Sequence, residues 1–180
     1  DAVLTHVQGT EAVYPASVIK LAYMLTAYHQ EHIGELVIDE EVYNDIVEMI
    51  QVSSNVATAN MVEILTDTDD GESLPPAEME EFVAKRMRIT NYLRSIGLDG
   101  IFALNKTYAG SVRLYGREFD ALGERKGDNF EFSNMMTTND TAKLLYLIAT
   151  RQVISQEACN EMMTVMKRTD DQTFISDVEA

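Results

Sequence analysis

The chain has 180 residues, of which 46% are apolar and 24% charged, and its formal net charge is −16. That length is enough for one domain with its own core. No apolar run reaches the length of a membrane span. The negative charge argues against a nucleic-acid partner and against docking on anionic lipid, both of which need clustered Lys and Arg.

The first element is a short β-like run, "AVLTHV" at 2–7, ahead of Gly9. Residues 17–32 then have the spacing of a helix ending near Gly34. Its first turns, "YPASVIKLAYML" at 14–25, raise a question of chemistry. Lys20 sits among Val18, Ile19, Leu21, Ala22, Met24 and Leu25, and a lysine in such company is rarely buried without a partner or a task. Ser17 and Lys20 fall on one helical face, so the amine is within reach of the hydroxyl. Taken alone, S-x-x-K is short, and an N-cap serine followed by a snorkelling lysine accounts for it.

The next stretch places Val42, Ile46, Met49 and Ile50 at helical spacing. A break at 53–55 follows, and the pattern resumes through Ala57, Met61, Ile64 and Leu65. Ser53 and Asn55 lie at that break, where polar side chains point into a cleft or act as caps and turn residues. Residues 67–76, "DTDDGESLPP", form an acidic loop, and no feature of it points to a function. Its spacing does not fit an EF-hand. A long helix is expected from about 77 to 96, with Met79, Phe82, Val83, Ile89, Leu93 and Ile96 inward and Gly97 at its end.

Residues 98–137 show little periodicity and five glycines, a length that suits a loop ordered over a site. "TTNDTAKLLYLIATRQ" is an apolar helix capped by Thr138 or Asn139. Ser155 caps a last helix that ends with Lys167 and Arg168 at its negative pole. The single cysteine, Cys159, allows no internal disulfide and falls within that helix as a small core residue. The ten methionines suit core filling. His29 and His32 lack a third ligand and suit a solvated helix end, so no metal is expected. Nothing in the sequence calls for a cofactor, and no glycine-rich phosphate loop is present.

With both serine signals on the page, "PASVIK" and "MIQVSSNVATANM" together resemble the penicillin-recognising serine enzymes, and among them the class A β-lactamases. "ITNYLRSIGL" and "MTTNDTAKLLYLIATRQVISQEACNEMM" are similar to later helices of that class. The resemblance covers most of residues 13–166, apart from the acidic loop. It implies a mainly α fold: the helical lobe of a class A β-lactamase-like domain, with most of the antiparallel sheet absent. On that reading, residues 1–180 are one incomplete domain: an extended segment or strand at 1–13, and a helical lobe at 14–180 with an Ω-like loop at about 98–137.

The resemblance also implies roles. Ser17 would be the acylated nucleophile and Lys20 its base or part of the proton path. Ser53 would relay a proton to the leaving nitrogen. Asn55 would orient Lys20 and donate to the substrate amide. The Ser17 backbone N–H would be half of an oxyanion hole. The implied function is a serine hydrolase that is acylated by β-lactams and hydrolyses their amide, in the periplasm or outside the cell. The alternatives are a penicillin-binding D,D-peptidase with slow deacylation, and a non-catalytic helical domain that retains part of a site. The expected partners are a β-lactam or a peptidoglycan stem peptide, and a second chain able to supply the sheet.

The sequence departs from the class at three points. Ser54 stands where class A has aspartate. None of the six lysines begins a K-T-G or K-S-G triplet, so this chain by itself is expected to lack one wall of the cleft. The Ω-loop glutamate of class A falls near Thr107 or Tyr108 in "FALNKTYAG", and Glu118, Glu124 or Glu131 would have to replace it.

Overall fold

One helix is wrapped by four others. Helix α1 (Lys20–His32) has no solvent face along its middle: Ala22 to Tyr28 are all buried, as expected of a helix apolar all round. Around it pack α2 (Glu40–Gln51), α3 (Asn55–Thr66), α4 (Pro76–Ser95) and α7 (Gln156–Met166). Each outer helix brings one apolar stripe, so Ile46, Met49, Met61, Leu65, Ile89, Leu93, Cys159 and Met162 meet Tyr23, Met24 and Leu25 in one core. Each such side chain contributes about 1.5–3 kcal/mol when fully buried. The structure is a computed structural model and describes residues 7–108 and 114–167.

A small antiparallel sheet closes one side. Its order is β1 (Ala12–Val13), β5 (Met135–Thr137), β2 (Ile101–Phe102), with Ala12 opposite Thr137 and Ile101 opposite Met136. A strand thus lies at 12–13; residues 2–6 of the earlier β-like run are outside the described ones. The stretch 98–137, expected to be irregular, also carries a short helix α5 (Gly116–Asp120) and a hairpin of β3 (Arg125–Lys126) and β4 (Asn129–Phe130). Gly127, at φ 65°, starts the hairpin's two-residue turn, where a left-handed residue matches the strand twist. Elements this short leave no period to detect, which is why the sequence hides them.

The helix ends follow their capping chemistry. The side chains of Asp39, Ser54 and Ser155 accept from Val42, Ala57 and Ala158 N–H. For α6 (Thr138–Ala149) the cap is Thr137, one residue before the expected Thr138 or Asn139, and it accepts from Asp140 N–H at 3.1 Å. Lys167 ends α7, and Arg168 is outside the described residues.

The apolar face of α4 also carries a charge that periodicity does not reveal. Arg86 is fully buried, lies over the Phe82 ring, and pairs with the Glu118 carboxylate. Lys106 lies 3.3 Å from the same carboxylate and 3.5 Å from Asp70, and also pairs with Glu63. Arg117 binds Asp69 at 2.6 Å and donates to the Glu72 carbonyl. The acidic loop is thus tied by cations from 98–137 and from α4, where Lys85 pairs with Asp67 at 2.9 Å.

Replacing Arg86 by Met strands the buried Glu118 carboxylate with Lys106 alone, and is expected to cost roughly 3–5 kcal/mol in chemical denaturation. Lys85→Met, at an exposed pair, is expected to leave the denaturation midpoint unchanged.

Candidate active site

Ser17 and Lys20 lie where the chain enters α1. A 3-10 turn (Ala16–Ile19) precedes the helix, and Ala16 adopts a left-handed φ of 47°. Ser17 is exposed and caps neither segment: Pro15 and Ile19 hold the N-cap positions, and neither makes a side-chain cap. The cap reading of Ser17 is therefore not what the backbone adopts. Ser17 instead sits in the first turn, where backbone N–H groups have no partner within the helix.

Lys20 does not snorkel. It is 2% exposed, and its amine runs inward to the α2–α3 corner. There it donates to the Ser53 carbonyl at 2.6 Å, the Ser53 hydroxyl at 3.0 Å, Asn55 Oδ1 at 3.0 Å, and more distantly the Ser54 carbonyl at 3.4 Å. All four acceptors are uncharged. Burial disfavours the ammonium form, and without a carboxylate beside it the Lys20 amine is pulled down to about 8.

The corner owes its shape to three residues. Ser53, at φ 60°, turns left-handed and presents both its carbonyl and its hydroxyl to one amine. Ser54 caps α3, accepting from Ala57 N–H at 3.2 Å. An aspartate fills the same capping position equally well, so the serine in place of aspartate keeps the local geometry. Asn55 opens α3 and accepts at one oxygen from both Lys20 and the Thr107 hydroxyl, the latter at 2.8 Å. Left-handed non-glycine residues thus occur beside Ser17 and at Ser53. Such positions cost about 1–3 kcal/mol each and persist only where the surroundings hold them.

Lys20, Ser53 and Asn55 are therefore brought together. The Ser17 hydroxyl makes no hydrogen bond to Lys20, whose described partners all lie at the second motif. Thr107 completes the cluster. It was legible only as the point where a glutamate is missing, because a hydrogen bond between side chains 52 residues apart leaves no local pattern.

The three candidate glutamates are placed elsewhere. Glu118 is held by Arg86 and Lys106, and the neighbouring Tyr108 hydroxyl is pushed up by burial and by that carboxylate. Glu131 pairs with Lys126 at 2.9 Å, and Glu124 is exposed just before β3. Among the described residues, no carboxylate touches Lys20, Ser53, Asn55 or Thr107. His29, read as a solvated helix end, is instead half-buried and stacked on Tyr92 with ring centroids 3.8 Å apart.

A model of the beta-lactamase enzyme family matches residues 44–178. The chain belongs to that family. Membership places it in the serine β-lactamase and penicillin-binding protein superfamily and makes it, at family level, a β-lactamase-like hydrolase. The matched stretch takes in the Ser53–Asn55 corner and Thr107 and begins after Ser17 and Lys20. No curated protein and no solved structure matches the chain. The helical lobe with its small sheet is the architecture that family membership leads one to expect.

If position 54 serves as a cap, Ser54→Ala is expected to cost about 1 kcal/mol in urea denaturation, and Ser54→Asp to stay close to wild type. Equal losses in both would assign the serine some other task.

Proposed function

We propose that this β-lactamase-family chain works by acyl transfer at Ser17, with a β-lactam or a peptidoglycan stem peptide as acyl donor. The Ser17 oxygen attacks the amide carbonyl carbon. Lys20, as a free amine, takes the hydroxyl proton. The protonated Lys20 gives that proton to Ser53 as the Ser53 hydroxyl passes its own to the departing nitrogen and the C–N bond breaks, which leaves an ester on Ser17 and Lys20 again as a free amine. Asn55 donates its Nδ2 amide to the substrate and keeps its oxygen toward Lys20. The periplasm or the extracellular space is where such substrates are met.

The observation that carries this reading is the Lys20 amine. It is buried, has no carboxylate partner, is lowered to about 8, and is bonded to both polar residues of the second motif. A structural lysine is normally stabilised as a cation by an acidic neighbour; this one has only neutral acceptors, so its proton is easier to remove.

A second observation favours slow turnover. Water attack on the ester needs a base, and no carboxylate contacts the site among the described residues. The expected behaviour is that of a penicillin-binding protein: rapid acylation and a persistent ester.

The test is intact-protein mass spectrometry after exposure to benzylpenicillin. One covalent adduct is expected on wild type and none on Ser17→Ala. The acylation rate should rise with pH and level off above about 8, because below that value Lys20 is an ammonium ion with no lone pair. Absence of an adduct on wild type would leave the non-catalytic domain as the better description. Release of the acyl group within seconds would contradict slow turnover and point to an efficient lactamase.

A further inference from the structure

Asn55 has two anchors, and only one of them belongs to the expected motif. The other comes from the buried stretch 103–107, which has no regular structure and whose residues 103–105 bond their backbone to side chains. Tyr23 and Asn134 both donate to the Asn105 carbonyl, at 2.6 and 2.8 Å. Asn134 Oδ1 accepts from Leu104 and Asn105 N–H at 2.9 Å each. Thr90 bridges Ala103 N–H and C=O. Lys106 then reaches Glu63, further along the helix that Asn55 begins, together with Glu118 and Asp70. The residue held between these fixed points is Thr107, 8% exposed, with its hydroxyl on Asn55 Oδ1.

We infer that Thr107 is a positioning residue: the ion cluster around Lys106 holds its hydroxyl against Asn55, which keeps the asparagine oxygen inward and leaves the Nδ2 amide to the substrate. This rests on the acyl-transfer reading above. An asparagine amide turns end for end with almost no change of shape, so its orientation is set by its partners. While Lys20 is charged, it demands the oxygen. A neutral amine accepts N–H equally well and no longer enforces the choice. Thr107 then does so, because a flipped amide would leave its buried hydroxyl proton without its acceptor. The anchor therefore matters most in the protonation state that reacts. The other titratable groups packed around the loop are Lys106, Glu63, Asp70, Glu118 and Arg86, which are paired with one another, and Tyr23 and Tyr108, both of which burial pushes up.

The experiment compares wild type with Thr107→Val and Thr107→Ser, one pH unit below and one above the Lys20 midpoint. Two readouts are followed: acylation by benzylpenicillin, and the Asn55 13Cγ signal of protein labelled in asparagine, assigned through Asn55→Asp. Above the midpoint Thr107→Val should acylate about tenfold more slowly and show a split or broadened Asn55 signal. Below it, the Asn55 signal should match wild type, and Thr107→Ser should behave as wild type at both. A purely structural role predicts the same loss at both pH values. Thr107→Ala, which introduces no bulk, carries the same test if valine disturbs the fold. Equal Asn55 signals and equal relative rates at both pH values would overturn the inference. If wild type takes no penicillin, the acyl-transfer reading has failed by itself. The carbon signal then decides alone, a split signal supporting the anchor and a single unchanged one overturning it.

Discussion

Much of this structure follows from one buried amine. Lys20 starts the helix around which α2, α3, α4 and α7 pack, and its side chain points into the protein. An ammonium group in that place needs acceptors, and the α2–α3 corner supplies four. To do so the corner turns left-handed at Ser53, caps the next helix with Ser54 and presents Asn55 at its first turn. The break between the two helices is thus the shape that a lysine without a carboxylate requires.

The contrast with the other buried cations is instructive. Arg86 and Lys106 are as secluded as Lys20, yet both lie against carboxylates. Opposite charge holds a group in its ionised form, whereas neutral acceptors leave the proton easier to remove. The described residues therefore contain two kinds of buried cation. The paired kind ties the acidic loop, α4 and α5 to the stretch 103–107. The unpaired kind is held at the α2–α3 corner by neutral acceptors. On the proposed acyl-transfer reading, stability and reactivity fall to different residues, and a site with strained backbone at Ala16 and Ser53 sits on a firmly tied frame.

The acidic composition gains a partial account in the same terms. Asp67, Asp69 and Asp70 belong to an acidic loop that no sequence feature marks for a function, yet each meets a cation from elsewhere in the chain. Exposed pairs of this kind add little one by one. Their effect here is geometric: they bring the loop over the cations that also hold the residues beneath it.

What the sequence determines by itself is whatever one helix can express. The periodic apolar faces of α2, α3, α4 and α7, the serine at 155, the end of α1 near Gly34 and the break at 53–55 are local consequences of side-chain spacing and capping chemistry, and they occur where the residues predict, except that Ile64 of α3 is exposed. The two serine motifs and the family they resemble belong to the same category, as short patterns on single elements. Tertiary structure decided the rest. Whether Lys20 turns outward or inward, whether Ser17 caps a helix, which hydroxyl touches Asn55 and which carboxylate neutralises Arg86 are questions about atoms tens of residues apart in the chain. Their answers depend on packing, because a buried polar group takes whichever partner the fold brings within hydrogen-bond reach, and chain order does not encode that distance.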